Sequence, residues 1–417
     1  MDSRANENKL NLKKKPNLIK KLEGFLGPAN TGKALKRYEL SLNSSGPVVA
    51  ECYIKNRHPW WDTIVLNKEL SRQGKSIHKN LSAGLMRLAE DASIISTLQK
   101  HMPECVREKY KSDLLDDENA RNFMFEIKIA WHYFLRGFGI SWYEEPNCPE
   151  FKVTANDLEF DIECKSIGVD SFRKIGRKDF YYLVEICIKP ISDLGLSGLI
   201  EIYLDERLPA NIEQLKSIAD EILRIVKSKA IKGGQKTSFG SIKTDLKPTE
   251  QHVVDLQKEY TDLWQLKPPQ AHGVIFAGSS NKGPIDPIKF LCQCNNPDSI
   301  LSGIRRKLVD GAERQLSPDR PGFIACFIPE IDDFKGLEQN SGLLEMTGSL
   351  FKKDKRNHII AISFSSDIQS IPTNFGIETS SPGVIFRNPY TNFEIPDGFQ
   401  FINEKIDDAA KTIPTKK

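Results

Sequence analysis

Between Leu158 and Lys165 the chain alternates strictly: Leu158, Phe160, Ile162 and Cys164 fall on one side of a strand, Glu159, Asp161, Glu163 and Lys165 on the other. Upstream, residues 118–136 carry a strong helical pattern, capped by Asp116 or Asp117 and closed by Gly137. Strand-like runs sit near 139–143 and 150–154. Beyond the alternating run the pattern predicts a helix over 178–189, a strand over 198–204 and a helix over 211–228. Strands at 273–277 and 288–293, a helix at 299–316 and a strand at 322–328 follow, with further strands near 358–364 and 383–387. No internal repeat is visible. Strands interleaved with helices predict an α/β sheet with parallel members.

The flanks read differently. Residues 62–111 carry helical patterns, and residues 38–54 read as a β-hairpin: Tyr38 to Leu42, a turn at Asn43-Ser44-Ser45-Gly46, then Val48 to Ile54. Residues 1 to about 24, with the run Lys13-Lys14-Lys15, read as a loose basic arm, and residues 232–248 as a flexible loop. The stretch from Gly27 to Ala34 has the spacing of a phosphate-cradling loop at Gly27, Gly32 and Lys33. Ala34 stands where a metal-holding hydroxyl is needed, and the upstream run Lys20 to Leu26 is too polar for a central parallel strand. A turn before the hairpin is the reading, and a nucleotide-driven machine is set aside.

A length of 417 residues suggests two or three domains, or one core with large insertions. The formal net charge of +3 neither demands nor forbids nucleic acid, so any such surface must come from local basic patches. No apolar run approaches the roughly 20 residues that span a bilayer, and Met1 to Glu7 lacks the apolar segment of a secretory signal. Eight cysteines without a CxxC pair fit buried, reduced thiols in a cytoplasmic protein. His58-Pro59-Trp60-Trp61 reads as a packing patch rather than a base-stacking platform.

The chemistry concentrates around the alternating strand. Glu163 and Lys165 share one face, with Asp161 in the same row. Hard cations take carboxylate oxygens, and a neighbouring ammonium can orient a water or offset developing charge. Glu150 follows Pro149 at the start of the preceding strand, where a hairpin would set it beside Glu163. Glu126 is a lone acid in the apolar run Phe123 to Trp131, a costly placement unless it is bonded, paired or near metal. Asp161 is an alternative ligand, although a solvent-exposed strand charge is its plainer reading.

A helix with Glu126, then Pro149-Glu150, then Glu163-Cys164-Lys165 resembles the PD-(D/E)xK nuclease superfamily. The resemblance implies a restriction-endonuclease-like core, α-β-β-β-α-β, with Glu150 as the first acid, Glu163 and Lys165 as the ExK pair, and Glu126 as the helical acid. The run Ile304 to Leu316 leading into Pro321 to Ile328 looks like the second helix and fourth strand, with Gln315 as the helix glutamine near the site. Glu150 departs from the usual Asp. About 130 residues separate Lys165 from that helix. Either the core holds a large insertion, or the helix near 178–189 takes the core role and Gln315 is unrelated. The implied organisation is an N-terminal hairpin and helical region over 1–114, a core over 115–335 with an insertion at about 190–298, and a C-terminal extension over 336–417. The implied activity is hydrolysis of DNA phosphodiester bonds with Mg²⁺ or Mn²⁺ held by Glu150, Glu163 and Glu126, in restriction or defence against foreign DNA. Arg173, Lys174, Arg177 and Lys178, and Arg305, Arg306 and Lys307, are candidate phosphate contacts. A homo-oligomer or a partner protein of a multi-component system is compatible with this reading. An inactive nucleic-acid-binding or interaction module is the alternative.

Overall fold

The alternating run forms a nine-residue strand inside a six-stranded sheet of the computed structural model. In spatial order the strands are β1 (Gly139–Trp142), β2 (Phe151–Ala155), β3 (Leu158–Ser166), β4 (Gly322–Phe327), β5 (Ile359–Ser365) and β6 (Gly383–Arg387). β1, β2 and β3 make an antiparallel meander. β4 runs parallel to β3, with Ile324 opposite Glu163 and Cys326 opposite Lys165. β5 is parallel to β4, and β6 closes the sheet antiparallel. The structure describes residues 15–74, 83–145, 147–155, 158–228, 232–250, 271–276, 286–329, 342–366, 383–396 and 399–402, with shorter pieces within 255–284 and 369–380.

This sheet belongs to the first of two compact units, built from residues within 1–39, 57–169 and 301–417. β4 and β5 are buried along their whole length, as expected of continuous apolar strands covered on both faces. The helix Ala120–Leu135 lies on one face, where Phe125 stacks on Phe327 at 5.0 Å and Tyr133 meets Phe160 at 5.5 Å. Phe399 and Phe401 join the same aromatic cluster. Asn119 precedes that helix. Asp116 accepts the N–H groups of Glu118 and Asn119, and Gly137, at φ 86°, ends it. Over 62–111 the described residues form the helices Trp61–Arg72, Ala83–Leu98 and Glu104–Asp113. His58 stacks on Trp61 at 3.8 Å, and Trp60 donates to the buried Asp91, so this cluster is core rather than a stacking surface.

The second unit comprises residues within 40–56 and 170–300. Its five-stranded sheet runs Lys232–Thr237, Gly240–Pro248, Leu196–Leu204, Ile288–Cys294 and His272–Phe276, and only the pair 196–204 with 288–294 is parallel. The helices Arg177–Asp193 and Ile212–Lys227 bury Phe180, Leu183, Cys187, Leu215 and Ile222 with Ile200, Ile202 and Phe290.

Several expectations are corrected. The hairpin over 38–54 is helical: Pro28–Ser44, then Pro47–Val49 and its wider continuation Ala50–Ile54. Pro47 opens the second helix at a position that tolerates a missing N–H, and Glu185 accepts from the N–H groups of Val48 (2.6 Å) and Val49 (3.1 Å). Gly32, Lys33 and Ala34 lie inside Pro28–Ser44, and the element before Gly27 is the helix Lys15–Leu26, so no phosphate loop forms. That helix also replaces the loose arm as far as the arm is described, because Ile19, Leu22 and Phe25 are buried; residues 1–14, with Lys13 and Lys14, lie outside the described residues. The loop expected over 232–248 is a β-hairpin, its turn closed by Gly240 at φ 144°. Among the described residues no helix is long and apolar enough to cross a membrane. All eight cysteines are free.

Candidate functional site

The charged row of β3 does not face water. Both faces of the strand are covered over residues 160–164, which leaves Asp161 at 1% and Glu163 at 0% exposure. The two acids meet different surroundings. Asp161 accepts from the Tyr143 hydroxyl at 2.7 Å and lies 3.4 Å from Arg320 Nε. It is a buried, partnered charge, which corrects the exposed-charge reading.

Glu163 has weaker company. Lys165 Nζ lies 2.6 Å from Glu163 Oε1, yet neither carboxylate oxygen receives a well-directed hydrogen bond from the described residues. Glu150 stands next to it: the Glu150 backbone N–H bonds to Ile162 C=O at 3.0 Å, and its carboxylate accepts the Cys164 N–H at 2.7 Å. Burial, and then the neighbouring Glu150 charge, push the Glu163 carboxyl up to about 10, against the pull of Lys165. Burial also raises Glu150, opposed first by the Cys164 N–H.

Glu126 reaches this pair through Glu150. Burial and then the Glu150 charge raise its carboxyl, and Tyr110 donates to it at 3.1 Å. Cys164, one residue from Glu163 on β3, is pushed up by burial and by all three glutamates, so the acids gather around this end of the strand.

The remaining wall is the segment after the helix Ile300–Asp310. There the backbone widens: the Leu316 N–H reaches back five residues to Gly311 C=O at 3.2 Å. The turn Gly311–Gln315 places Gln315 Oε1 as an acceptor for Lys165 Nζ. A Cβ added at Gly311 would lie 2.9 Å from Lys165 Cε and 3.3 Å from Glu163 Cγ. Thus Glu150, Glu163, Lys165 and Gln315 come together, with Glu126 behind Glu150. The helix Arg177–Asp193, the other candidate for the core role, lies in the second unit.

The basic clusters divide. Arg173 and Arg177 pair with Asp170 in the second unit, and the Lys174 N–H bonds to Asp298. Arg305, Arg306 and Lys307 are exposed on the helix that leads to Gln315. Sequence reasoning missed Tyr110 and Gly311. Tyr110 lies in a polar helix with no mark of a site. A glycine inside the run 299–316 was a readable signal for close approach.

The donor set suits a hard divalent cation. Two adjacent carboxylates present oxygens, and one of them is buried without directed donors, a costly state that a cation would relieve. As they stand, no group of three or more His, Cys, Asp or Glu side chains among the described residues is arranged to hold a metal. The glutamates are instead turned to the Tyr110 hydroxyl, the Cys164 N–H and Lys165. No family model, curated protein or solved structure matches the chain.

Proposed function

We propose that this chain is a metal-dependent nuclease that hydrolyses phosphodiester bonds in DNA. One observation carries the reading: Glu163 is fully buried, with Glu150 as its neighbour and Lys165 Nζ 2.6 Å from its carboxylate, and burial and the Glu150 charge raise its proton affinity. A chain does not stabilise a fold by such a placement, whereas functional sites gather groups with shifted proton affinities. The order of elements supports the same reading. A helix, an antiparallel meander, a second helix and a strand parallel to the third follow the α-β-β-β-α-β order of the PD-(D/E)xK resemblance, and residues 170–300 of the second unit fall in sequence between the third strand and that second helix.

In this reading Glu150 and Glu163 would hold Mg²⁺ or Mn²⁺, with Glu126, which feels the Glu150 charge, assisting. When bound there, such an ion would supply Lewis-acid polarisation of the phosphate and a lowered pKa for a water. Lys165 positions the attacking water and offsets the charge added to the phosphorane-like state. Gln315 holds the Lys165 ammonium in place. Arg305, Arg306 and Lys307 offer phosphate contacts that carry no sequence information. A role in restriction or defence rests on the resemblance alone.

The test compares the intact protein with Lys165→Ala on supercoiled plasmid, linear duplex and single-stranded DNA, with Mg²⁺ or Mn²⁺. Metal-dependent cutting lost with that one change is expected. Cutting that survives it moves the chemistry elsewhere, and no cutting by either protein moves the weight to an inactive binding module.

A further inference from the structure

We infer that the turn Gly311–Gln315 is the device that positions Lys165, and that Arg356 and His358 hold it in shape from the far end of the chain. The turn touches the site twice. Its first residue leaves no room for a side chain against Lys165 Cε, and its last bonds the ammonium. Between them, a widened turn is not the shape that an isolated helix adopts, so the surroundings must over-determine it. They do so at two consecutive residues. His358 Nε2 bonds to Ala312 C=O at 3.0 Å. Glu313 Oε1 accepts from Arg356 Nη2 at 2.6 Å and from Arg356 Nε at 3.2 Å.

Arg356 is suited to this role because it cannot release its partner cheaply. It is 2% exposed, its Nη1 also reaches Leu350 C=O at 3.5 Å, and the Asn388 amide donates to Ile359 C=O at 2.7 Å and to Arg356 C=O at 3.5 Å. A buried guanidinium stripped of its carboxylate is strongly unfavourable, so the pair keeps Glu313 pinned. Arg356 and His358 thereby act on Lys165 through the turn. Arg356, His358 and Glu313 are positioning residues. Their consequence for cleavage rests on the nuclease reading; their effect on Lys165 does not.

The test reads Lys165 directly. Intact protein is treated with an amine-acylating ester, and modification of Lys165 relative to the exposed Lys216 is measured by mass spectrometry in wild type, Glu313→Ala, Glu313→Gln and Glu185→Ala. The last removes a capping carboxylate in the second unit and controls for destabilisation alone. Modification of Lys165 is expected to rise on the order of tenfold in Glu313→Ala, the factor that loss of one charge-assisted hydrogen bond allows. Glu313→Gln, which keeps an acceptor oxygen, should fall between, and Glu185→Ala should match wild type. Lys165 as shielded in Glu313→Ala as in wild type overturns the inference, even if DNA cutting is lost. Increased modification in a protein whose wild type never cuts DNA with Mg²⁺ or Mn²⁺ upholds the positioning and sinks the nuclease reading instead.

Discussion

Gly311 is the position where one methyl group should separate site from fold. Its Cβ would sit 2.9 Å from Lys165 Cε and 3.3 Å from Glu163 Cγ, while its φ needs no glycine. The Lys165 side chain has to yield. Gly311→Ala should therefore leave the protein folded, at a cost within the ~1–3 kcal/mol typical of overpacking, and lower cleavage far more than its thermal midpoint. Equal cleavage by Gly311→Ala and wild type would mean that Lys165 does not need its present place. Tyr110 makes a second probe. Its hydroxyl donates to Glu126 while its ring packs edge-on to Phe123 and Trp142 at 6.1 and 5.6 Å. Tyr110→Phe keeps the packing and removes the donor, for a stability change of about 1 kcal/mol. Calorimetric titration with Mn²⁺ should show altered affinity, because Glu126 then turns more freely toward Glu150. Unaltered affinity would place Glu126 outside the metal-holding set.

Among the elements, the hairpin 232–248 shows how strictly the second sheet is built. Gly240 adopts φ 144°, and a Cβ there would lie 2.0 Å from Tyr203 C=O; at Gly198, φ 125°, the Asp245 carbonyl is 2.2 Å away. Backbone, unlike the end of a side chain, cannot step aside. Gly240→Ala should cost more than about 2 kcal/mol, read as a lower denaturant midpoint, through strain at φ and the loss of pairing with 196–204. An unchanged midpoint would show that this pairing contributes little. The same hairpin was illegible in the sequence because Lys232-Gly233-Gly234 carries none of the β-branched or aromatic residues that mark strands, and its pairing with 196–204 supplies what propensity does not. The helices over 28–54 were misread for the opposite reason. Val48 to Ile54 is a short apolar run whose period cannot distinguish strand from helix, and the deciding cap comes from distant Glu185. The helix 120–135, β1 to β4 and the closeness of Glu163 to Lys165 were legible because each has its own period or spacing. The clamp of Arg356 on Glu313 left no local trace, since neither residue means anything without the other.

At the scale of the whole molecule, a buried proton should make stability depend on pH and metal together. In the unfolded chain Glu163 titrates in the ordinary carboxylate range; in the fold, burial and Glu150 move it to about 10. The folded protein therefore binds more protons than the unfolded chain between those two values, and its stability falls as pH rises across that window. Glu150 and Glu126, raised in the same direction, add to the slope. Thermal midpoints of metal-free protein should be lower at pH 9 than at pH 6. Glu163→Gln, which stays neutral, should flatten the difference, and comparing the two proteins cancels the titrating groups that do not interact with Glu163. If Glu150 and Glu163 take up Mg²⁺ or Mn²⁺ as proposed, the ion should oppose the trend, because it would displace their proton and bind more tightly as pH rises. Added ion should thus raise the midpoint more at pH 9 than at pH 6 in wild type, and hardly at all in Glu163→Gln. A wild-type midpoint that rises with pH without metal would show that Glu163 is ionised in the fold. An ion effect that survives Glu163→Gln would place the cation at other carboxylates.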